Sequence, residues 1–440
     1  MNDQSRPRRR TWPQRIVLVV NIVVIIACFG TAAIVYYGNE KANDRKVVSL
    51  VGSTTKLTVP PATAADGTPS TDPDVTLVAG PVDMSARNFL ITGSDNGACV
   101  DPDSPYASAF GNHNGLGERA DTIMILRLDP TTNAGAVLSF PRDLWVKIAG
   151  TTRQARINSA FDSKDPSRLI RTINDNFGVP VDHYVNVNLC AFKEIVDSVG
   201  GVKIPFAHRT KDDRVGFREV GPGCVELRGG QALAYVRSRT GYRYFDETKQ
   251  KWVGDPTGDI GRITRQQDFL RRSMQRALDR GTTNPATANA LLNVALDRVI
   301  TDDQLTPRDL LTLAQAMRNL DTRGVNSYTI EWSPRKIGNE SVLIPIVDSD
   351  SMKAILAIFD GSTSAKTSES QAGDAAPSGD DDASAGRFAL DRIATAIFVP
   401  LATTLIDVLV SADDTSPTTT IAAPQQKRLG VFPPDDPACR

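Results

Sequence analysis

One stretch restricts the architecture before any other. Ile16 to Tyr37 is a run of about 22 mostly apolar residues broken by Asn21, the length that carries a helix across the hydrocarbon core of a bilayer. Arg6, Arg8, Arg9, Arg10 and Arg15 precede it. Arginine on that side keeps the N-terminus in the cytoplasm. Residues 1–15 therefore read as a cytoplasmic basic tail, 16–37 as a single-pass transmembrane helix in the plasma membrane, and everything after Gly38 as extracellular. The small residues Thr31, Ala32 and Ala33 would suit a cleaved signal peptide, but the apolar run continues to Tyr37, which favours an uncleaved anchor.

That topology decides the chemistry open to the rest. The net charge of -1 and a basic excess confined to the first fifteen residues give no reason to expect a nucleic-acid partner. Outside the membrane Cys99, Cys190, Cys224 and Cys439 meet an oxidising environment where disulfides persist. Four cysteines allow three pairings, between which the sequence does not choose; Cys190 with Cys224 is favoured, because the two flank one continuous βαβ-like segment. No CxxC spacing exists and His113, His183 and His208 are scattered, so zinc is not expected.

Composition divides the remainder. Residues 38–83 are rich in Pro, Thr, Ala and Gly and read as an extracellular stalk, with one possible strand at Val47–Val51. Residues 84–360 alternate apolar runs with helical periodicity. Strands are predicted at Asn88–Thr92, Ile123–Leu126, Ala136–Phe140, Trp145–Ile148, Tyr184–Val187, Val202–Ile204, Ser327–Trp332 and Val342–Val347. Helices are predicted to start at Asp165 and Pro166, to span Ala191–Val199, Gly230–Val236, Ile263–Arg280 and Pro285–Val299, to follow the Thr306 cap, and to span Ser351–Phe359. The alternation indicates an α/β (α+β) sandwich, a central mixed β-sheet flanked by helices. Residues 361–386 form a Ser, Ala, Asp and Gly linker with few core-forming residues, and 387–440 an apolar segment and tail.

The chemistry-bearing stretch runs from Gln231 to Gln267, QALAYVRSR followed by GDIGRITRQQ. A helix ending near Arg237 leads into extended chain, where Arg237 and Arg239, two apart, point the same way. On the next helix, beginning near Asp259, Arg262 and Gln266 stand four apart on one face, and the helix start favours negative charge. Planar guanidinium groups bind phosphate oxygens in pairs. Asp95 just follows one predicted buried strand and Asp121 just precedes the next, and two carboxylates beside arginines can hold Mg²⁺ together with phosphate oxygens. With Arg119, Arg142 and Arg156 these residues describe a site for a pyrophosphate and its metal. No Walker loop and no GxSxG elbow is present.

At these residues the chain resembles the LytR-CpsA-Psr family of bacterial cell-wall proteins: NFLITGSD, RADTIMIL, LSFPRDLWV, RINSAF, DHYVNVN with FKEIVDSVGGV, and the two arginine motifs. The resemblance spans about Asn88 to Arg272 in the family's order. It implies an extracytoplasmic, Mg²⁺-dependent phosphotransferase that takes a glycan polymer from a polyprenyl-pyrophosphate carrier and joins it to peptidoglycan through a phosphodiester. It makes Asp95 and Asp121 the metal pair, and Arg119, Arg142, Arg156, Arg237, Arg239, Arg262 and Gln266 the pyrophosphate grip. Arg142, Asp143 and Asp121 become the catalytic candidates, with Asp143 or Asp121 as the base, and the prenyl chain is expected between sheet and helices. A lipid-pyrophosphate hydrolase, or a wall-binding scaffold or regulator, are the alternatives. Two features depart from the family pattern: the long segment Gly97–Glu118 and a cysteine at Cys190.

Overall fold

The computed structural model describes residues 45–50, 85–95, 103–104, 106–107, 120–363, 426 and 428–439. The expected anchor, most of the stalk, Arg119 and residues 364–425 lie outside them. The described residues belong to one compact unit, 1–367 with 423–440, and the second unit, 368–422, lies outside. Among the described residues no helix is long and apolar enough to cross a membrane.

In chain order the main elements are β1 (Val47–Val48), β2 (Arg87–Ser94), β3 (Ala120–Asp129), β4 (Ala134–Ser139), α1 (Ser167–Phe177), β5 (His183–Asn188), α2 (Leu189–Ser198), α3 (Gly229–Arg237), α4 (Asp259–Thr283), α5 (Pro285–Arg298), β6 (Ile300–Asp302), α6 (Pro307–Ala316), β7 (Asn326–Thr329) and α7 (Asp350–Phe359). The seven strands form one mixed sheet in the order β1-β6-β5-β2-β3-β4-β7. β1 with β6, β5 with β2 and β4 with β7 run parallel, while the other neighbours are antiparallel.

The period of two along the strands explains the layering. Leu90, Ile123, Ile125, Ala136 and Leu138 face one side and pack with Leu169, Ile173, Ile355 and Phe359 of α1 and α7. Their neighbours Phe89, Met124, Leu126, Leu128 and Val137 face the other side, against Leu270, Met274 and Leu278 of α4 and Leu310 and Leu313 of α6. A sheet covered on both faces needs apolar residues at both parities, which is why the strands read as near-continuous hydrophobic runs. A separate cluster built on Val196, Leu233, Tyr235 and Phe269 joins α2, α3 and α4.

Local signals hold where the chemistry is local. Thr306 and Asp309 form a capping box around Pro307, as the sequence leads one to expect. Asp165 Oδ1 accepts from the Ser167 amide at 3.0 Å and starts α1. Between β3 and β4 the Asp129 carboxylate accepts from the amides of Thr131 and Thr132, and Asn133 takes φ 51°, so a side chain and one left-handed residue make the turn.

Three expectations are corrected. Cys224 is bonded not to Cys190 but to Cys439, with Cα atoms 5.3 Å apart. The βαβ-like segment does not close into one sheet: Val202–Phe206 leaves the sheet of β5 and pairs antiparallel with Gly223–Leu227, so Cys224 sits on a strand pair that the C-terminus reaches. Cys190 is buried in the first turn of α2 and is disulfide-bonded in its own right. The Val47 strand is no isolated stalk element, since β1 pairs with β6 at the sheet edge and Leu50 joins the core. The single strand expected at Ser327–Trp332 divides, because β7 ends at Thr329 and Trp332–Ile337 folds back on Glu340–Pro345 as a hairpin. A four-stranded satellite sheet, Phe217–Val220, Thr210–Asp212, Arg243–Asp246 and Lys251–Gly254, has short polar strands whose pattern gives no periodic signal.

Ile125 is fully buried on the central strand β3. Ile125→Ala is expected to destabilise the domain by about 2–5 kcal/mol, measured as a shift in the denaturant midpoint at constant slope.

Candidate functional site

Strand direction brings the two aspartates together. β2 and β3 are antiparallel, so the end of β2 lies against the start of β3, with Gly93 opposite Thr122 and a register shift placing Ser94 opposite Ala120. Asp95 directly follows β2 and Asp121 is the second residue of β3. β4 returns antiparallel to β3, Ser139 opposite Met124, and the Phe140 amide donates to the Ile123 carbonyl at 2.9 Å. The residues that follow, Pro141 and Arg142, are thereby carried over Asp121.

Around Asp121 the arginines converge. Arg142 Nη1 lies 2.5 Å from Asp121 Oδ1 and Arg237 Nη2 3.5 Å from Oδ2. Arg262 Nη2 donates to the Asp121 carbonyl at 2.9 Å and lies 3.0 Å from Asp259 Oδ1. Arg239 Nη1 stands 3.7 Å from the same Asp259 oxygen. Asp95, 6% exposed, acts electrostatically on Arg237 together with Asp121. The sequence-predicted residues Asp95, Asp121, Arg142, Arg237, Arg239 and Arg262 thus share one site at the strand ends, where open α/β sheets place ligands. Arg262 is 3% exposed, and its Nε, like Arg142 Nε, is buried without a hydrogen-bond partner among the described residues. A buried guanidinium with an unused donor can take an anion's oxygen; Arg156, Arg265 and Arg276 also keep one, and Arg142 and Arg262 differ in standing beside Asp121.

The remaining candidates stand apart in two ways. Arg156 Nε lies 3.3 Å from Asp143 Oδ1, and its Nη2 3.7 Å from Glu340, so Arg156 and Asp143 form a neighbouring, more exposed pair that Arg142 touches at 3.7 Å. Gln266 Nε2 donates to the Val236 carbonyl at 3.0 Å, which satisfies an otherwise orphaned carbonyl at the end of α3. Arg119 lies outside the described residues.

Sequence reasoning passed over the residues that hold this array. Arg265 is fully buried. It donates to Asp255 Oδ2 at 2.7 Å and to the Ser238 carbonyl at 2.9 Å, and its guanidinium lies 3.9 Å from the centre of the Tyr242 ring. Ser238 separates Arg237 from Arg239, so Arg265 fixes the backbone between two arginines of the site. Gln267 Nε2 donates to the Tyr328 carbonyl at 2.7 Å and to Ser139 Oγ at 2.9 Å, tying α4 to the ends of β4 and β7. Asp259 joins Arg239 to Arg262. The available signal was three consecutive polar residues, Arg265 to Gln267, in a helix that must bury most of its faces.

Burial opposes ionisation of Asp121, but Arg262, then Arg142 by charge and hydrogen bond, then Arg237 outweigh it and hold the carboxyl below its usual range. Burial pulls Arg237 and Arg262 down from the ordinary arginine value, while Asp121 and Asp95, and Asp259 and Asp121, oppose that. For a metal, Asp95 and Asp121 offer a hard, all-oxygen pair, which fits Mg²⁺ when phosphate oxygens and water complete the shell. Among the described residues no group of three or more His, Cys, Asp or Glu is placed to hold a metal ion.

Because Asp121 titrates lower folded than at the unfolded value of about 3.9, the stability it contributes is complete above that value. It is lost as pH falls through the folded pKa. Asp121→Asn is expected to lower stability at pH 7 by about 1–3 kcal/mol and to lose less stability than wild type between about pH 5 and pH 2. Denaturant titrations across that range would show converging curves; parallel ones would contradict the assignment.

Comparison with known proteins gives the family. The LytR_cpsA_psr family model matches residues 53–358. A probable cell wall biosynthesis protein, LcpB of Corynebacterium glutamicum, is 30% identical over 273 residues, 61% of this chain and 61% of that protein. The polyisoprenyl-teichoic acid–peptidoglycan teichoic acid transferase TagU of Bacillus cereus is 32% identical over 39% of this chain and 49% of its own length. The match thus spans about half to three fifths of these curated relatives. The crystal structure of B. subtilis TagV aligns at 22% identity with a TM-score of 0.49, over 64% of this chain and 99% of that one. With the family model covering well over half of its length, the chain belongs to the LytR-CpsA-Psr family.

Proposed function

We propose that this protein is an extracytoplasmic phosphotransferase, anchored in the plasma membrane by residues 16–37, that moves a glycan polymer from a polyprenyl-pyrophosphate carrier to peptidoglycan. The observation that carries the reading is the convergence of Arg142, Arg237 and Arg262 on Asp121, with the buried Nε of Arg142 and of Arg262 left without a partner among the described residues. Such an array favours an anion carrying several phosphate oxygens. The transferase name of the Bacillus cereus relative supports the same class of substrate.

In the proposed reaction a sugar hydroxyl of peptidoglycan attacks the glycan-proximal phosphorus. A new oxygen–phosphorus bond forms, the bond to the bridging pyrophosphate oxygen breaks, and polyprenyl phosphate departs with the electron pair. Arg142, Arg237, Arg239 and Arg262 neutralise the charge developing on the bridging oxygen. Mg²⁺ held by Asp95 and Asp121 would supply Lewis-acid neutralisation of the same phosphates. The hydroxyl proton passes to a carboxylate. Asp143 is preferred over Asp121, because Asp121 would hold the metal, and Asp143, beside Arg156 and Arg142, keeps 31% of its side chain exposed. The prenyl chain would lie on the α4 and α6 side of the sheet, where Ile91, Val185, Leu270, Met274 and Leu313 are only partly buried.

The test mixes the full-length protein in detergent with a lipid-pyrophosphate glycan, Mg²⁺ and peptidoglycan oligomers, and reads products by mass spectrometry. A glycan–phosphate–peptidoglycan adduct that disappears with EDTA is expected, with Arg237→Ala lowering kcat/KM by about 10²–10³-fold. Free glycan phosphate without adduct, across several acceptors, would replace transfer with hydrolysis. Unchanged transfer in Arg237→Ala would overturn the assigned site.

A further inference from the structure

The C-terminal residues 428–439 lie outside the span that the family model matches, and nothing in their composition marks them as part of the fold. They nevertheless return to the domain and run along α4. Thr264 Oγ1 donates to the Leu429 carbonyl at 2.9 Å, Arg265 Nη1 to the Val431 carbonyl at 3.2 Å, and Arg272 Nη2 to the Pro434 carbonyl at 3.2 Å. The Val431 amide donates to Asp255 Oδ2 at 3.4 Å, the oxygen that also receives Arg265. Gly261, Thr264, Arg265 and Arg272 recur at helical spacing, so the segment follows one face of α4. Its end is covalently fixed by Cys224–Cys439.

Contact is closest at the first turn of α4. A Cβ on Gly430 would lie 2.7 Å from the Gly261 Cα and 2.5 Å from Thr257 Oγ1, and Gly430 has φ +91°. Gly430 lets the two backbones meet there. That turn starts from Gly258, which supplies no side-chain cap, and is closed by the Ile260 amide on the Thr257 carbonyl at 3.2 Å. Yet the same turn carries Asp259 and Arg262, and Arg265 one turn later grips the carbonyl between Arg237 and Arg239. The segment therefore braces the turns of the helix on which the site depends.

We propose that residues 428–439 act as a positioning strap: docked on the first turns of α4 and tied down by Cys224–Cys439, they hold Arg262, and through Arg265 also Arg237 and Arg239, in the geometry that engages the substrate pyrophosphate. This rests on the phosphotransferase reading of the site and adds a determinant of its rate beyond the family motifs. Gly430 and the Val431 backbone are positioning groups, since they touch the helix and not the substrate.

The test uses the full-length protein with Gly430→Val, which blocks the close approach, and the milder Cys439→Ser, which frees the end of the strap and leaves the disulfide of Cys190 intact. Hydrogen exchange of residues 255–266 and transfer kinetics per folded molecule are read on both. Exchange there is expected to be about tenfold faster or more, and kcat to fall about 10- to 100-fold with little change in acceptor KM. Unchanged exchange, or faster exchange with unaltered kcat per folded molecule, would overturn the proposal and leave the strap a stability staple. If the wild type transfers nothing, the phosphotransferase reading fails on its own. The strap is then decided by calorimetry with inorganic pyrophosphate, where a tenfold loss of affinity in the variants supports it and equal affinity overturns it.

Discussion

Crowding guanidinium groups around a single carboxylate is the constraint on which this structure turns. Arg142, Arg237 and Arg262 all address Asp121, and like charges brought together out of water repel unless something holds them. Asp121 supplies part of the compensation, and Asp259 and Asp95 supply more. What remains beside Asp121 is the buried Nε of Arg142 and of Arg262, without a partner among the described residues. The sheet exists, in functional terms, to bring the ends of β2, β3 and β4 together so that these charges share one place.

The helix α4 is the second half of that constraint. Four of its residues in a span of six fasten it to four parts of the fold: Arg262 to β3, Arg265 to the backbone after α3, Gln266 to the end of α3, and Gln267 to β4 and β7. Side chains that look from sequence like ligands for an anion are in part spent on orphaned backbone carbonyls. This division of labour is physically economical, because a guanidinium or amide tied at one end presents a fixed edge to a substrate at the other.

Much of this was legible in the sequence, for reasons that can be named. Buried strands such as Ile123 to Leu126 and capped helices such as that after Thr306 depend on local pattern, and the structure has them where pattern puts them. The arginines and aspartates were recognisable because charged residues clustered at strand ends are costly unless used. The disulfide was not legible, since the pairing of Cys224 depends on where a chain end 215 residues away returns. Nor was the strap, whose docking uses backbone carbonyls and one glycine contact and so leaves no side-chain periodicity. Arg265 was visible as charge but not as a buried node, because its partners Asp255, Ser238 and Val431 meet only in three dimensions.

The central claim is that the array recognises two linked phosphates rather than simply negative charge. The most direct measurement is calorimetric titration of the full-length protein in Mg²⁺ with a prenyl pyrophosphate and with the monophosphate of the same chain. The account predicts that the pyrophosphate binds about tenfold more tightly or better, a difference of about 1.4 kcal/mol or more, and that Arg142→Ala removes most of that preference. Equal affinity for the two lipids, or a preference that survives Arg142→Ala, would contradict it.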